Sequence, residues 1–543
     1  MSWTCDGVPK DGKSYASSGP HPPYDNSSSF CDLCGLPKEA LETNKPKKPK
    51  KTHVSRGSHS AWILPAMIAV IILILGGGGF ALYQAIGNRN DSNGGEAATN
   101  GGTSTASSNG LVSDTAVNPQ LISQGEKILF DPTPAKQAGA TAFTQQNWDE
   151  AIAQYQQATT QDPNDPEAKL YLNNAKARKA GNPLAIAVVV PINPNNADTT
   201  SRDSAKEVLR GVALSQEEFN KAPLGGRLLE VVIVDEANPS QAAAIAQDII
   251  NAPNVLGVLG HGVDNNSQQA IRMYEANQLP LLSSLTTSVT PGTPGQSNLK
   301  VMPIDQKTNE LLSSYLQSVG KTLAQYASQQ HSPPRVAIFY NSNSLYSQKL
   351  KQDLINGLLP VNGQVIKEVD ITAATFNPTA EMVNVQQSGA NTAFFALSKN
   401  KVNEAVELAQ ANANLGGNAL TLIGGDELYN PTILVNGRNA IEGLVLAVPW
   451  SFQGGNSFSQ NAMQIWRGRV SWRTATAYDA TQALLTAIRQ NPTRAAASQQ
   501  LSQGITISGT TTDFNVFNDV PLVKAVAGNA GPAGSNHQFD PLP

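Results

Sequence analysis

LAIAVVVP, from Leu184 to Pro191, is a short continuous apolar run rich in β-branched residues. It fits a strand buried on both faces. The period then changes: over Arg202–Lys221, Ala205, Val208, Leu209, Val212 and Ala213 recur at helical spacing. Gly225-Gly226 turns the chain into a second strand, Leu228–Asp235, and Pro239 starts a helix through Ile250. Val255–Gly260 reads as strand, Ser267–Asn277 as helix and Leu279–Ser283 as strand. This alternation with short loops specifies a parallel sheet covered by helices on both faces.

Downstream, the pattern restarts after Asp305. Leu311–Gln329 is helical, Arg335–Tyr340 a strand, Ser347–Leu358 a helix and Gln364–Val369 a strand. Thr392–Leu397 is a strand, Val402–Ala413 a helix and Ala419–Gly424 another strand. Two α/β lobes of ~120 residues each fit this length, since single cores seldom grow past ~250–300 residues.

Upstream, Leu121–Ala180 is helical. Gly139, Ala140, Phe143, Trp148, Ala151, Ile152, Tyr155, Ala158 and Asp162-Pro163 resemble one tetratricopeptide repeat, and a partner helix begins at Pro166. Arrays of this kind need about three repeats to bury a continuous core alone. Residues 118–181 are therefore expected to form a helical spacer that leans on a neighbour. Before it, residues 87–117 are rich in Gly, Ser, Thr and Asn and read as a flexible tether.

Ala61–Ile86 has an uncharged core, Trp62–Leu75, and meets the ~20 apolar residues that a bilayer core requires. Trp62 and Tyr83 sit where interfacial aromatics anchor. Lys45, Lys47, Lys48, Lys50, Lys51 and Arg56 precede the span and only Arg89 closely follows it, so the N-terminus is expected in the cytoplasm and the remainder outside. Sixty mostly polar residues come first, which favours an uncleaved signal anchor over a cleaved signal peptide.

The chain has 543 residues, with 38 Lys and Arg against 42 Asp and Glu. That balance supplies no concentrated basic face for nucleic acid. The three cysteines, Cys5, Cys31 and Cys34, all precede the span. Cys31-Asp32-Leu33-Cys34 has the spacing of a zinc knuckle, with Cys5 and His21 as third and fourth ligands. Free thiols in a disordered tail are the alternative, and the spacing leaves both open. The exported region has His261, His331 and His537 but no cysteine, no Gly-x-Ser-x-Gly elbow and no phosphate-binding loop. A nucleophile–base pair is hard to assemble from that set, so binding rather than catalysis is expected, with no cofactor.

Several fragments occur in a fixed order: Arg210-Gly211 through Phe219-Asn220, Gly225-Gly226, Asp235…Pro239…Ala242, Val258-Leu259-Gly260 and Pro280-Leu281-Leu282-Ser283-Ser284. Ala477-Tyr478-Asp479-Ala480 and Gly509-Thr510…Phe514…Phe517-Asn518-Asp519 follow. Together they resemble the type I periplasmic binding proteins, in the leucine/isoleucine/valine-binding branch of ABC-transporter receptors. The resemblance implies two Rossmann-like lobes joined by a hinge, over residues 182–525. Lobe 1 would hold about 182–304 and 447–510 and lobe 2 about 306–446, with 526–543 left as a C-terminal tail. It also implies an amino-acid or similar small polar ligand, and either an ABC permease or a signalling protein as partner.

Open parallel sheets bind ligands beyond the carboxyl ends of their strands. His261–Ser267 follows one such end and opens a helix, whose free N–H groups suit an anion. The resemblance places a ligand carboxylate there, on Asn266 and Ser267, and on the hydroxyl-rich loop that carries Thr286 and Thr287. It places a ligand ammonium between acids at Asp305 and Asp426, although helix capping or a solvated turn would also account for them, and Glu427 is adjacent. Tyr346 aligns with an aromatic that shapes the cleft. Ser398-Lys399-Asn400 departs from the tyrosine that amino-acid receptors of this type often carry, which leaves the ligand open. Arg473 either approaches the cleft or pairs on the surface.

Overall fold

The computed structural model describes residues 3–5, 8–10, 24–26, 38–41, 110–192, 199–236, 239–261, 265–283, 289–290, 298–301, 306–508, 520–532 and 534–542. They divide into two units, Met1–Gly102 and Thr103–Pro543. In the first, β1 (Trp3–Cys5) pairs antiparallel with β2 (Tyr24–Asn26), and Cys5 is buried with Ala40. His21, Cys31 and Cys34 lie outside the described residues, and among the described residues no group of His, Cys, Asp or Glu could hold a metal. The expected membrane span at 61–86 also lies outside them, and no described helix is long and apolar enough to cross a membrane.

The second unit begins with β3 (Ile122–Ser123) and three helices, α1 (Pro134–Thr144), α2 (Trp148–Gln161) and α3 (Pro166–Ala180). The first α/β segment follows: β4 (Leu184–Val190), α4 (Thr199–Lys221), β5 (Leu229–Asp235), α5 (Ala242–Ile250), β6 (Val255–Gly260), α6 (Asn265–Ala276) and β7 (Leu281–Leu282). The sheet order is β3-β5-β4-β6-β7, parallel except for β3 at the edge. All seven residues of β4 are buried. Leu184, Ile186 and Val188 face the core with Leu209 and Val212 of α4, while Ala185, Ala187 and Val189 face Ile245 and Ile249 of α5. The run quoted first is thus apolar throughout because helices cover both its faces. β7 is shorter than its apolar run, and a 3-10 turn at Pro239–Gln241 precedes α5.

β8 (Val289–Thr290) and β9 (Asn298–Val301) lead into the second segment: α7 (Gln306–Gln330), β10 (Arg335–Tyr340), α8 (Leu345–Leu358), β11 (Gln364–Asp370), α9 (Pro378–Gln387), β12 (Thr392–Ala396), α10 (Val402–Ala413), β13 (Thr421–Gly424), α11 (Pro431–Gly437) and β14 (Val445–Ala447). The chain then supplies α12 (Ser457–Trp466), α13 (Trp472–Gln490), α14 (Arg494–Ser502) and β15 (Ile505–Ser508) before β16 (Leu522–Ala527) and β17 (His537–Pro541). The second sheet runs β11-β10-β12-β13-β14-β16-β17, its last two strands antiparallel. Phe339 and Phe395 fill one face edge-on, and Ile338 and Phe394 pack with Leu350 and Leu354 on the other. α13 returns to the first lobe and packs on α4; β9 and β15, which carry the chain between the lobes, pair antiparallel from Asn298–Ser508 to Val301–Ile505.

One expectation needs correction. Residues 526–543 are not a tail, because β17 pairs with β16 over Val523–Pro541 to Ala527–His537 and buries Phe539. The neighbour on which residues 118–181 lean is the first lobe. β3 extends the first sheet, and Asn174 of α3 donates to the Val231 carbonyl at 2.7 Å and accepts from its N–H at 2.9 Å, continuing the edge of β5 with a side chain. Arg178 forks onto buried Glu230, with Nη2 to Oε2 at 2.8 Å, and Gln124 donates to the same carboxylate at 2.6 Å. Within the helices, Lys136 pairs with Asp165 at 2.8 Å and with Glu167 at 2.5 Å, both Lys136 and Glu167 being buried. Gly139 lets α1 approach α2 closely, since a Cβ there would lie 2.8 Å from the Tyr155 ring.

Glu230→Ala would leave Arg178 buried without its acid, and urea unfolding should show a loss of about 3–5 kcal/mol. An unchanged unfolding midpoint would mean that the helices are not fastened to the lobe through this pair. Gly211 lies where α4 meets α13, and a Cβ there would stand 2.3 Å from the Thr474 carbonyl oxygen. Gly211→Ala should cost about 1–3 kcal/mol through overpacking. Gly417→Ala, in open space, should stay within about 0.5 kcal/mol.

Candidate functional site

The carboxyl end of β13 carries Gly424-Gly425-Asp426. Asp426 is 5% exposed, and the Tyr346 hydroxyl donates to its Oδ1 at 2.7 Å. Tyr346 stands in the first turn of α8, whose Ser344 cap accepts from the Ser347 N–H. Gly425 makes this contact possible, since a Cβ there would lie 2.4 Å from the Tyr346 hydroxyl. Trp472 Nε1 donates to the Asp426 carbonyl oxygen at 3.2 Å. The buried Tyr315 hydroxyl is close enough to feel the same carboxylate but lies outside hydrogen-bonding geometry.

Burial pushes the Asp426 carboxyl up to about 6; neighbouring Glu427 adds to the shift, while the Tyr346 hydrogen bond and the Arg473 charge oppose it. No lysine or arginine among the described residues forms an ion pair with Asp426. Glu427 is committed elsewhere: its Oε2 accepts from the Lys399 N–H at 2.8 Å and ties down the turn after β12. Of the two adjacent acids, Asp426 is therefore the buried one held by Tyr346. The same contact gives Lys399 a backbone role that its side chain did not advertise.

In the first lobe, β6 ends at Gly260, whose φ of +114° and whose missing Cβ, 2.0 Å from the Val189 oxygen, both require glycine. His261 follows in the left-handed region, φ 55°. Its Nδ1 lies 2.7 Å from Glu236 Oε1 and its Nε2 2.9 Å from the Tyr274 hydroxyl. This trio holds the end of β6, and α6 starts at Asn265, which sets Asn266 and Ser267 in its first turn. Thr286, Thr287 and Asp305 lie outside the described residues.

Sequence reasoning missed the seam where the lobes touch. Arg473, at the start of α13, is buried and stacked over Trp472 at 4.4 Å. Its Nη1 donates to the Tyr429 carbonyl of the second lobe at 2.7 Å and to Glu207 of α4 at 3.2 Å. Asn430 Nδ2 donates to the Thr200 carbonyl at 3.3 Å, and the Thr432 hydroxyl to Asp203 at 3.1 Å. Arg473 thus does not pair on the surface; it is buried at the seam, close enough for its charge to act on Asp426. Of these residues only Arg473 stood out beforehand, through its place beside Trp472. Glu207 and Asp203 look like ordinary solvated positions of an amphipathic helix.

A family model described as periplasmic binding protein matches residues 185–519. No curated protein matches the chain. Among solved structures, the branched-chain amino acid transporter substrate-binding protein LivJ of Streptococcus pneumoniae, in complex with isoleucine, is 14% identical over 66% of this chain and 100% of that one, with a TM-score of 0.50. The leucine-binding protein LivK of Thermotoga maritima is 19% identical over 66% and 97%, with a TM-score of 0.48. A solute-binding protein of R. palustris in complex with 4-hydroxybenzoate is 13% identical over 66% and 96%, with a TM-score of 0.49. All three are named as binding proteins. With its two α/β lobes and a family match over more than half its length, this chain belongs to the periplasmic binding proteins.

Proposed function

We propose that the chain is a membrane-anchored extracytoplasmic receptor that closes its lobes on an amino acid or similar small zwitterion. The observation that carries this reading is Asp426, a buried carboxylate at a strand end, oriented by Tyr346 and without a cationic partner among the described residues. Such a group is costly until a cation arrives, and a ligand ammonium supplies one through charge-assisted hydrogen bonds. Asp305 would be the second acid. The first turn of α6, with Asn266 and Ser267, and the loop with Thr286 and Thr287 would hold the ligand carboxylate at the opposite end. The relatives' printed ligands, isoleucine and 4-hydroxybenzoate, both carry a carboxylate; the ammonium is the part argued from Asp426.

Closure requires no covalent step. A ligand that touches both lobes shifts the equilibrium toward the closed form by its differential affinity. Residues 61–86 would anchor the chain, with the binding unit outside. An ABC permease is the expected partner. A second reading, a sensor reporting to a signalling protein through the anchor, draws on the fastening of α1–α3 to lobe 1, which refers any lobe motion to the anchor side of the unit. Co-purification separates the two: a permease with its ATPase indicates transport, a kinase or cyclase indicates sensing.

A thermal-shift screen against amino acids, with the matching carboxylic acids lacking the amine as controls, tests the reading. A specific amino acid should raise the melting temperature in a concentration-dependent way. Asp426→Asn and Asp305→Ala should abolish that rise and leave the unliganded fold intact; retained binding in both variants refutes the ammonium site.

The pH dependence has a definite sign. Asp426 titrates near 6 in the folded chain, above its ordinary 3.8, so folding favours its protonated form. The unliganded protein should therefore lose about 2–3 kcal/mol as pH rises from about 4 to about 6. Affinity for an amine-bearing ligand should run the other way: level above about pH 7 and weaker by up to about tenfold per unit below about pH 6. An affinity that stays flat from pH 5 to 7 would count against Asp426 as the ammonium partner. Tyr346→Phe removes the hydrogen bond to the charged carboxylate and should weaken binding at pH 7 by about tenfold or more.

A further inference from the structure

Along the lobe seam, away from Tyr346 and Asp426, lies a crevice of about 340 Å³. Its walls come from several parts of the fold: Arg210 of α4, Asn164 before α3, Leu434 of α11, and Trp466, Arg467 and Arg469 where α12 passes into α13, faced by the chain before β17. Three buried donors among these walls have no hydrogen-bond partner: Arg210 Nε, Arg469 Nε and Trp466 Nε1. Trp466 is itself only 2% exposed. Two cations flank its ring, Lys169 at 5.8 Å and Arg210 at 5.9 Å.

Neither Arg210 nor Arg467 has a carboxylate within ion-pair distance among the described residues, whereas Arg469 is paired with Asp540 and Lys206 with Asp131. The acids that line the crevice are already engaged. Glu207 meets Arg473, and Asp203 accepts from Thr432, with burial pushing both carboxyls up toward their neutral forms. Buried donors in native proteins are nearly always satisfied, and unmet ones in a cavity point to a missing acceptor. A planar guanidinium beside another is the usual recognition device for carboxylate and phosphate.

We propose that this crevice is a second ligand site, separate from the amino-acid cleft, that takes a small oxyanion: a carboxylate or inorganic phosphate. Arg210 and Arg467 supply the charge, and Trp466 Nε1 supplies a directional donor at the floor. Because its walls belong to both lobes and to the helical segment, an anion seated there favours the lobe arrangement in which these walls meet. Occupancy therefore couples to the cleft, and each ligand changes the other's affinity by the same factor.

The test uses the intact protein and three probes, inorganic phosphate, malonate and acetate, each titrated at constant ionic strength against sodium chloride. Phosphate or malonate should raise the melting temperature saturably, beyond the chloride control. Arg210→Gln and Arg467→Gln should each weaken that response at least tenfold. Arg467 is exposed, so its variant keeps the fold even where Arg210→Gln does not. Trp466→Phe keeps the ring and removes the donor; it should lower anion affinity, whereas a merely structural indole would leave affinity untouched. Asp426→Asn should retain the anion response, which separates failure of this site from failure of the amino-acid site. The proposal is overturned if no probe gives a saturable response, if Arg467→Gln loses less than tenfold, or if Trp466→Phe binds as wild type.

Discussion

A parallel sheet built from βαβ crossovers cannot leave either face in water, and that constraint organises this protein. β4 lends alternate side chains to the α4 side and the α5 side, and β10 and β12 do the same in the second lobe. Once both faces are covered, the only openings left are the strand ends. β6 and β13 both end there, the second in Gly424-Gly425-Asp426. The proposed cleft chemistry would thus be a by-product of how apolar strands are shielded, with Asp426 and the start of α6 as its candidates.

The same constraint explains the helical segment before the family-matched region. An exposed edge at β5 would offer unpaired N–H and C=O groups. β3 pairs with part of it, and Asn174 pairs with Val231 farther along. Glu230, pointing from that strand into the helices, is tolerated because Arg178 and Gln124 reach it. The result is a lobe with an added layer whose attachment is polar and buried.

Much of the fold was legible because period and burial coincide. LAIAVVVP, RVAIFY and VLGVLG read as strands on sight, and two of the three ended where the apolar run ended. What escaped was long-range pairing. Nothing near Glu230 announces Arg178, and nothing in the polar C-terminus announces that His537–Pro541 pairs with β16. Tyr346 and Asp426, which a hydrogen bond joins, were singled out through the family resemblance and, for Asp426, through its place after a strand. The seam acids Glu207 and Asp203 were not, because an acid on an amphipathic helix acquires meaning only from the partner across the gap. Glu427 and Asp426 could be told apart only by geometry: one holds a turn, the other is buried against Tyr346.

Of the chain's three passages between the lobes, β9 and β15 run as hydrogen-bonded neighbours, while the third leads from β14 to α13. Two separate cords would let one half swivel about either of them. Two strips laced together resist torsion and bend about an axis across the ribbon. On the proposed hinge closure, opening would thereby be narrowed toward a single direction, and the same atoms would come back into register each time.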